Sequence, residues 1–183
     1  MSPYLQSVAD TYAESRERLH ALLAEADDDA FNRKPSAKGW SAGECVVHLN
    51  KTSEPYLPVI EALVGPDAPR GEGPFEWGWM SRRFIEAVRP GSRPLPTGGP
   101  MKPPRAAGLR SEVDRDRALA RFDADVDRWL AVCERADGVA LDRIKMRSPI
   151  LPVVKLPAGV FLEAMGLHAL RHVGQAERAV RGT

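Results

Sequence analysis

The run Ser41-Ala42-Gly43-Glu44-Cys45-Val46-Val47-His48-Leu49-Asn50-Lys51-Thr52-Ser53-Glu54-Pro55-Tyr56-Leu57-Pro58-Val59-Ile60-Glu61-Ala62-Leu63-Val64 reads as one long helix. Ser41 and Glu44 stand three apart, the capping-box spacing in which the two side chains satisfy free amides of a first helical turn. Two apolar rows follow. Val46, Leu49, Leu57, Ile60 and Val64 form one, and Cys45, His48, Thr52, Tyr56, Val59 and Leu63 form the other. Lys51, Glu54 and Glu61 occupy what remains. An apolar arc that wide must meet more than one neighbouring helix. Pro55 and Pro58 lack amide N–H groups, so the helix is expected to bend or divide there.

On the N-terminal side, residues 3 to about 26 carry Leu5, Val8, Tyr12, Leu19 and Leu23 at helical spacing, with Asp10, Glu14 and Arg18 turned away. Asp27-Asp28-Asp29 breaks that helix, and Pro35, Ser36 and Gly39 make a loop. On the C-terminal side, residues 65–110 hold nine prolines and eight glycines. Within them Trp77, Met80, Phe84 and Val88 form a short helical patch. A connection this long is usually functional or wrapped over something. A further helix is expected from about Ser111 to Arg135, with Leu119, Phe122, Val126, Trp129, Leu130 and Cys133 as its core stripe. Pro149, Pro152 and Pro157 exclude a regular helix in the next linker. Ile150 to Val154 can be extended, but Pro152 argues against a central strand. The last helix spans about 158–180. The expectation is a single all-α domain over 1–183, a four-helix bundle with a long crossover at about 65–110 and little or no β structure.

Composition narrows the function. The 183 residues are 43% hydrophobic and 28% charged, as in soluble globular chains. Twenty-six basic against 25 acidic residues leave a net charge of +1. A general polyanion binder needs clustered excess positive charge, so no nucleic-acid partner is expected. Cys45 and Cys133 are too few for a disulfide framework and lack zinc-type CxxC spacing. The N-terminus shows no leader pattern, and no apolar run approaches the ~20 residues that cross a bilayer. A cytoplasmic protein without a membrane partner is expected.

The chain has four histidines. His168 and His172 stand four apart on the last helix, which puts both imidazoles on one face and within reach of one ion. Phe161, Met165 and Gln175 share that face, while Glu163, Arg171, Glu177 and Arg178 point elsewhere. His48 adds a third imidazole from the apolar arc of the second helix. Three neutral imidazoles on facing helices make a first shell for a divalent transition metal with positions left open. The competing reading is a set of core histidines bonded to carbonyls. His20, at the edge of the first apolar stripe, reads as structural or surface. Cys45 reads as a small buried side chain rather than a soft ligand, and Glu44 as a cap. Gln175 reads as packing, with a ligand-orienting role as its alternative. Phe75, Trp77 and Trp79 suit a pocket wall, a core or a dimer contact.

Two segments carry a resemblance. Phe31-Asn32-Arg33-Lys34-Pro35 with Gly39-Trp40-Ser41-Ala42-Gly43-Glu44-Cys45-Val46-Val47-His48-Leu49-Asn50 resembles the N-terminal signature of DinB-like proteins. His168-Ala169-Leu170-Arg171-His172-Val173-Gly174-Gln175 resembles their C-terminal signature. The resemblance implies a four-helix bundle with a long crossover, often dimeric. It implies His48, His168 and His172 as ligands of a divalent metal, commonly zinc or nickel. Characterised relatives include thiol S-transferases and mycothiol-dependent isomerases, related to bacillithiol- and glutathione-type chemistry.

The leading expectation is therefore a metal-dependent transferase that activates a low-molecular-weight thiol for attack on a small-molecule electrophile. The crossover would shape the electrophile pocket, and Arg82, Arg83 or Arg105 are available for substrate carboxylates, although surface roles suit them better. A metal-dependent hydrolase is the first alternative, weakened because no carboxylate clearly joins the inner faces. A non-catalytic, dimeric metal- or ligand-binding bundle is the second.

Overall fold

In the computed structural model, which describes residues 1–93, 99–104 and 108–182, each long apolar periodicity of the sequence becomes a helix. The helices are α1 (Pro3–Glu25), α2 (Asp28–Asn32), α3 (Ala42–Leu63), α4 (Trp79–Val88), α5 (Arg115–Arg135) and α6 (Ala158–Arg181). A short antiparallel hairpin, β1 (Lys145–Arg147) with β2 (Lys155–Pro157), precedes α6. Among the described residues the fold is all-α apart from that hairpin. None of the described helices is long and apolar enough to cross a membrane.

α1 and α3 each pack against both α5 and α6, so the four long helices form a square with α1 and α3 on one diagonal. Tyr12 lies near its centre. Its ring stacks on Trp129 of α5 at 5.3 Å between centroids, and its hydroxyl donates to the Leu162 carbonyl of α6 at 2.8 Å. One buried aromatic thus ties three helices, with its polar end satisfied as burial requires. Gly166 lets α1 come close to α6: a Cβ added there would collide with the Thr11 side chain. α4 lies against α6, and the 3-10 turn Gly99–Met101 lies against α3.

The structure refines the sequence expectations at five places. Asp27-Asp28-Asp29 does more than end α1: Asp27 Oδ1 accepts from the Ala30 amide at 2.7 Å and caps the one-turn helix α2. α3 runs undivided through Pro55 and Pro58. Pro58 is exposed and Pro55 half-buried, so neither ring sits in the core. An interior proline costs about 3 kcal/mol, whereas burying Tyr56, Leu57 and Ile60 on the opposite faces contributes about 1.5–3 kcal/mol each. Packing outweighs the interruption. α4 begins at Trp79, after Gly78, so Trp77 lies outside it and Met80 faces solvent. Its packed side is Ser81, Phe84, Ile85 and Val88. α5 begins at Arg115 because Asp114 Oδ1 accepts from the Arg117 amide at 3.0 Å, which leaves Ser111 and Val113 free to bond Asn32. Finally, Met146 and Leu156 pair across the hairpin and are buried. Ile150 to Val154 forms its loop, with Val153 90% exposed.

Candidate metal centre

Two stretches of chain bring the three histidines together. His48 sits two turns into α3, and His168 and His172 lie one turn apart on the facing side of α6. The His48 and His168 Nε2 atoms are 3.4 Å apart. Ring centroids are separated by 5.1 Å for His48–His168 and by 4.5 Å for both His48–His172 and His168–His172. One ring nitrogen from each lies within 4.8 Å of the other two, close enough to hold a metal ion. His48 and His172 are 4% and 8% exposed, and His168 is half-buried.

Burial fixes the charge of the cluster. It lowers the proton affinity of all three rings, and the neighbouring imidazoles add to the effect at His168 and His172. His168 falls to about 3. Lys51 pushes His48 the same way, and Arg171 acts likewise on the other two. The three rings are neutral at pH 7, the state in which imidazole is a ligand.

The support around the rings is specific. His48 Nδ1 lies 2.7 Å from the Met101 carbonyl. A carbonyl only accepts, so Nδ1 carries the proton and Nε2 keeps its lone pair toward the other histidines. Trp40 stacks on His172 at 5.8 Å with 25° between planes and tilts against His48 at 4.9 Å. Ser41, the residue after Trp40, belongs to a buried polar network at the start of α3. Ser41 Oγ meets Ser111 Oγ at 2.7 Å, Ser111 donates to Asn32 Oδ1 at 2.6 Å, and the Val113 amide donates to the same oxygen at 2.9 Å. The capping box is formed in both directions, at 3.0 and 2.9 Å, and buried Lys34 approaches Glu44 at 3.7 Å.

The crossover is fastened over this end of the bundle from two sides. Lys51 donates to the Lys102 carbonyl at 2.8 Å, beside the His48–Met101 contact. On α6, Arg171 donates to the Ala87 carbonyl at 3.0 Å, to Ser92 Oγ, and to the Arg93 carbonyl at 3.1 Å.

A metal fits these residues. His172 Nδ1 is buried and makes no hydrogen bond among the described residues, the kind of unpaired group that a folded interior rarely keeps without a partner such as an ion or a bound ligand. The donor set, three neutral nitrogens with no carboxylate in the cluster, suits a transition metal rather than calcium or magnesium.

The remaining candidate residues divide clearly. His20 is exposed and contacts Asp123 at 2.9 and 3.0 Å, away from the cluster. Cys45 is buried, its thiol pushed up chiefly by burial, and it takes no part. Gln175 stands by His172 and slightly opposes the fall in its proton affinity. Arg82 and Arg83 are exposed on α4, and Arg105 lies outside the described residues. Phe75 and Trp77 stack on each other and meet Tyr4 edge to face, whereas Trp79 is 71% exposed. Glu163, Arg171 and Glu177 do turn away from the histidines, toward Trp77, the crossover and Arg18.

One expectation is corrected. A carboxylate does face inward: Asp125 of α5 is buried and lines, with His168, Thr52, Ser53 and Trp129, an internal cavity of about 20 Å³. Arg121 Nε holds both its oxygens at 3.1 Å, yet burial still raises its proton affinity. Trp40 and the Met101 carbonyl are the supports that the sequence reading did not assign. The tryptophan lies just before the capping serine, a position that could have marked it; a backbone carbonyl leaves no signal.

A family model described as the DinB superfamily matches residues 11–176. No curated protein and no solved structure matches the chain.

Proposed function

We propose, since the chain belongs to the DinB superfamily, that His48, His168 and His172 hold one divalent transition metal, zinc or nickel, and that the protein is a transferase joining a low-molecular-weight thiol to a small electrophile. The observation that carries the reading is the convergence of three neutral imidazoles, one of them locked by the Met101 carbonyl with its Nε2 facing the other two. Bound there, the metal supplies the positive charge that takes a thiol from its ordinary pKa near 8.5 to a thiolate at neutral pH. The chain's own residues do the rest. Trp40 and Met101 keep the rings in register, Arg171 and Lys51 hold the crossover against the site, and that segment shapes the electrophile pocket. The sulfur forms a bond to the electrophilic carbon, the thiol proton passes to solvent, and the leaving group departs with its bonding pair. A reducing cytoplasm suits such a substrate, and the dimer implied by the resemblance is part of the same proposal.

The test is turnover of a chromogenic aryl halide with a panel of small thiols. Metal-loaded protein should exceed a His48→Ala variant by at least about 100-fold if the ion supplies several kcal/mol. Equal rates would remove the transferase reading. Asp125, which lines the same cavity as His168, one with room for about one water, favours hydrolysis as the second reading. Thiol-independent ester cleavage that falls in Asp125→Asn would select it.

A further inference from the structure

α6 carries a second polar constellation on a different face. Glu163 lies in a groove of about 290 Å³ lined by Tyr4, Ser7, Val8 and Thr11 of α1, by Trp77, and by Leu167. The groove is built rather than incidental. Gly159, one turn before Glu163, has no Cβ, and one added there would clash with the Trp77 ring, so the indole comes close against the helix at one end. Gly166 lets α1 close the side in the same way. Trp77 Nε1 donates to Glu163 Oε2 at 3.0 Å, and the Tyr4 hydroxyl donates to the Gly159 carbonyl at 2.8 Å. Tyr4 meets Phe75 at 5.4 Å and Trp77 at 5.7 Å, edge to face, and Phe75 stacks on Trp77 at 5.7 Å, so each aromatic fixes the next.

The charge of this groove is one-sided. Among the described residues no Lys, Arg or His forms an ion pair with Glu163, although Glu14, Glu61 and Glu177 all have one. Burial accordingly raises its proton affinity, and only the neutral Trp77 N–H and the nearby Tyr4 hydroxyl oppose the rise. A half-buried carboxylate beside aromatic side chains is the complement of a cation with an apolar surface, because the rings offer apolar contact and the carboxylate supplies the counter-charge. A strongly hydrated metal ion would gain little from aromatic walls.

We propose that this groove binds a small organic ammonium ion, with Glu163 as counter-charge and Tyr4 and Trp77 as walls. The site does not depend on the histidine cluster or on the transferase reading. Tetramethylammonium and tert-butanol, the same shape with and without charge, test it on the full chain by following the Trp77 indole N–H in nitrogen-15 correlated spectra. Tetramethylammonium should shift that resonance saturably, and Glu163→Gln should weaken binding at least about tenfold. tert-Butanol should give no saturable shift. Ser7 is exposed on the groove's rim, so Ser7→Lys places a tethered ammonium there without disturbing the core and should abolish binding even if Glu163→Gln fails to fold. A shift that does not saturate, equal binding of the alcohol, or unchanged affinity in whichever of these variants folds would overturn the proposal.

Discussion

Two faces of one helix solve opposite electrostatic problems. On the inner face of α6, His168 and His172 join His48 in a pocket of nitrogen donors that burial keeps neutral. On another face, Glu163 sits in a groove with aromatic walls and, among the described residues, no cationic partner. Their titration runs in contrary directions for one reason: burial disfavours whichever form is charged. For the imidazoles the disfavoured form is the protonated one, and for the carboxylate it is the ionised one. The inner face therefore asks for an ion that binds neutral nitrogen, and the groove asks for positive charge.

The largest expected effect separates the two faces outright. His168→Ala should weaken zinc binding by at least about 100-fold, beyond what loss of an outer supporting partner costs, while leaving tetramethylammonium binding at the groove unchanged. Competition against a chromogenic chelator measures the first, and indole shifts the second. Next comes ligation energy. Zinc at about 100 times its Kd should stabilise the fold by about 2.7 kcal/mol, a rise in Tm of about 5–10 °C for a chain of this size, reversed by a chelator and absent in His168→Ala.

Acidification gives the two faces opposite signs. The histidines have folded-state proton affinities below the ordinary 6.5, so below that pH the unfolded chain binds more protons and metal-free protein loses stability. The loss is about 1.4 kcal/mol per pH unit for each proton refused, beginning near 6.5 and continuing toward the His168 value of about 3. Glu163 is raised above 4.5, so its penalty is present at neutral pH and disappears as the carboxyl protonates. Urea titrations from pH 7 to 4 on wild type and Glu163→Gln should show the steep loss in both, slightly steeper in the variant because it lacks the opposing group.

Smaller effects probe the packing between the faces. Gly166→Ala should cost about 1 kcal/mol, at the low end for overpacking because Thr11 can rotate aside, and thermal melts would register it. Glu163→Gln at pH 7 should change stability by no more than about 0.5 kcal/mol, since the amide oxygen still accepts from Trp77 and the buried charge is gone.

Periodicity made the inner face legible and left the outer one nearly silent. His168 and His172 announce themselves by a spacing of four on an apolar stripe, and Ser41 with Glu44 by the capping box; both are local patterns that a helix turns directly into geometry. The position of His48 on the same kind of arc sufficed to place it opposite them. What escaped was non-local. The Met101 carbonyl reaches His48 from 53 residues away, Asn32 organises Ser111 and Val113 across some 80 residues, and Glu163 gains its meaning only from Trp77 and α1. α5 starts later than its apolar stripe suggests because Ser111 satisfies Asn32 and Ser41 instead of opening a helix. α3 stayed whole because its prolines fall toward solvent, which a propensity argument does not weigh.

The most direct measurement of the central claim is anomalous diffraction from crystals grown with zinc, collected on both sides of the zinc absorption edge. One strong edge-dependent peak bonded to a nitrogen of each of His48, His168 and His172, with His48 Nδ1 still on the Met101 carbonyl, is the predicted result. A peak elsewhere, or three imidazoles bonded only to protein atoms and water at saturating zinc, would contradict it.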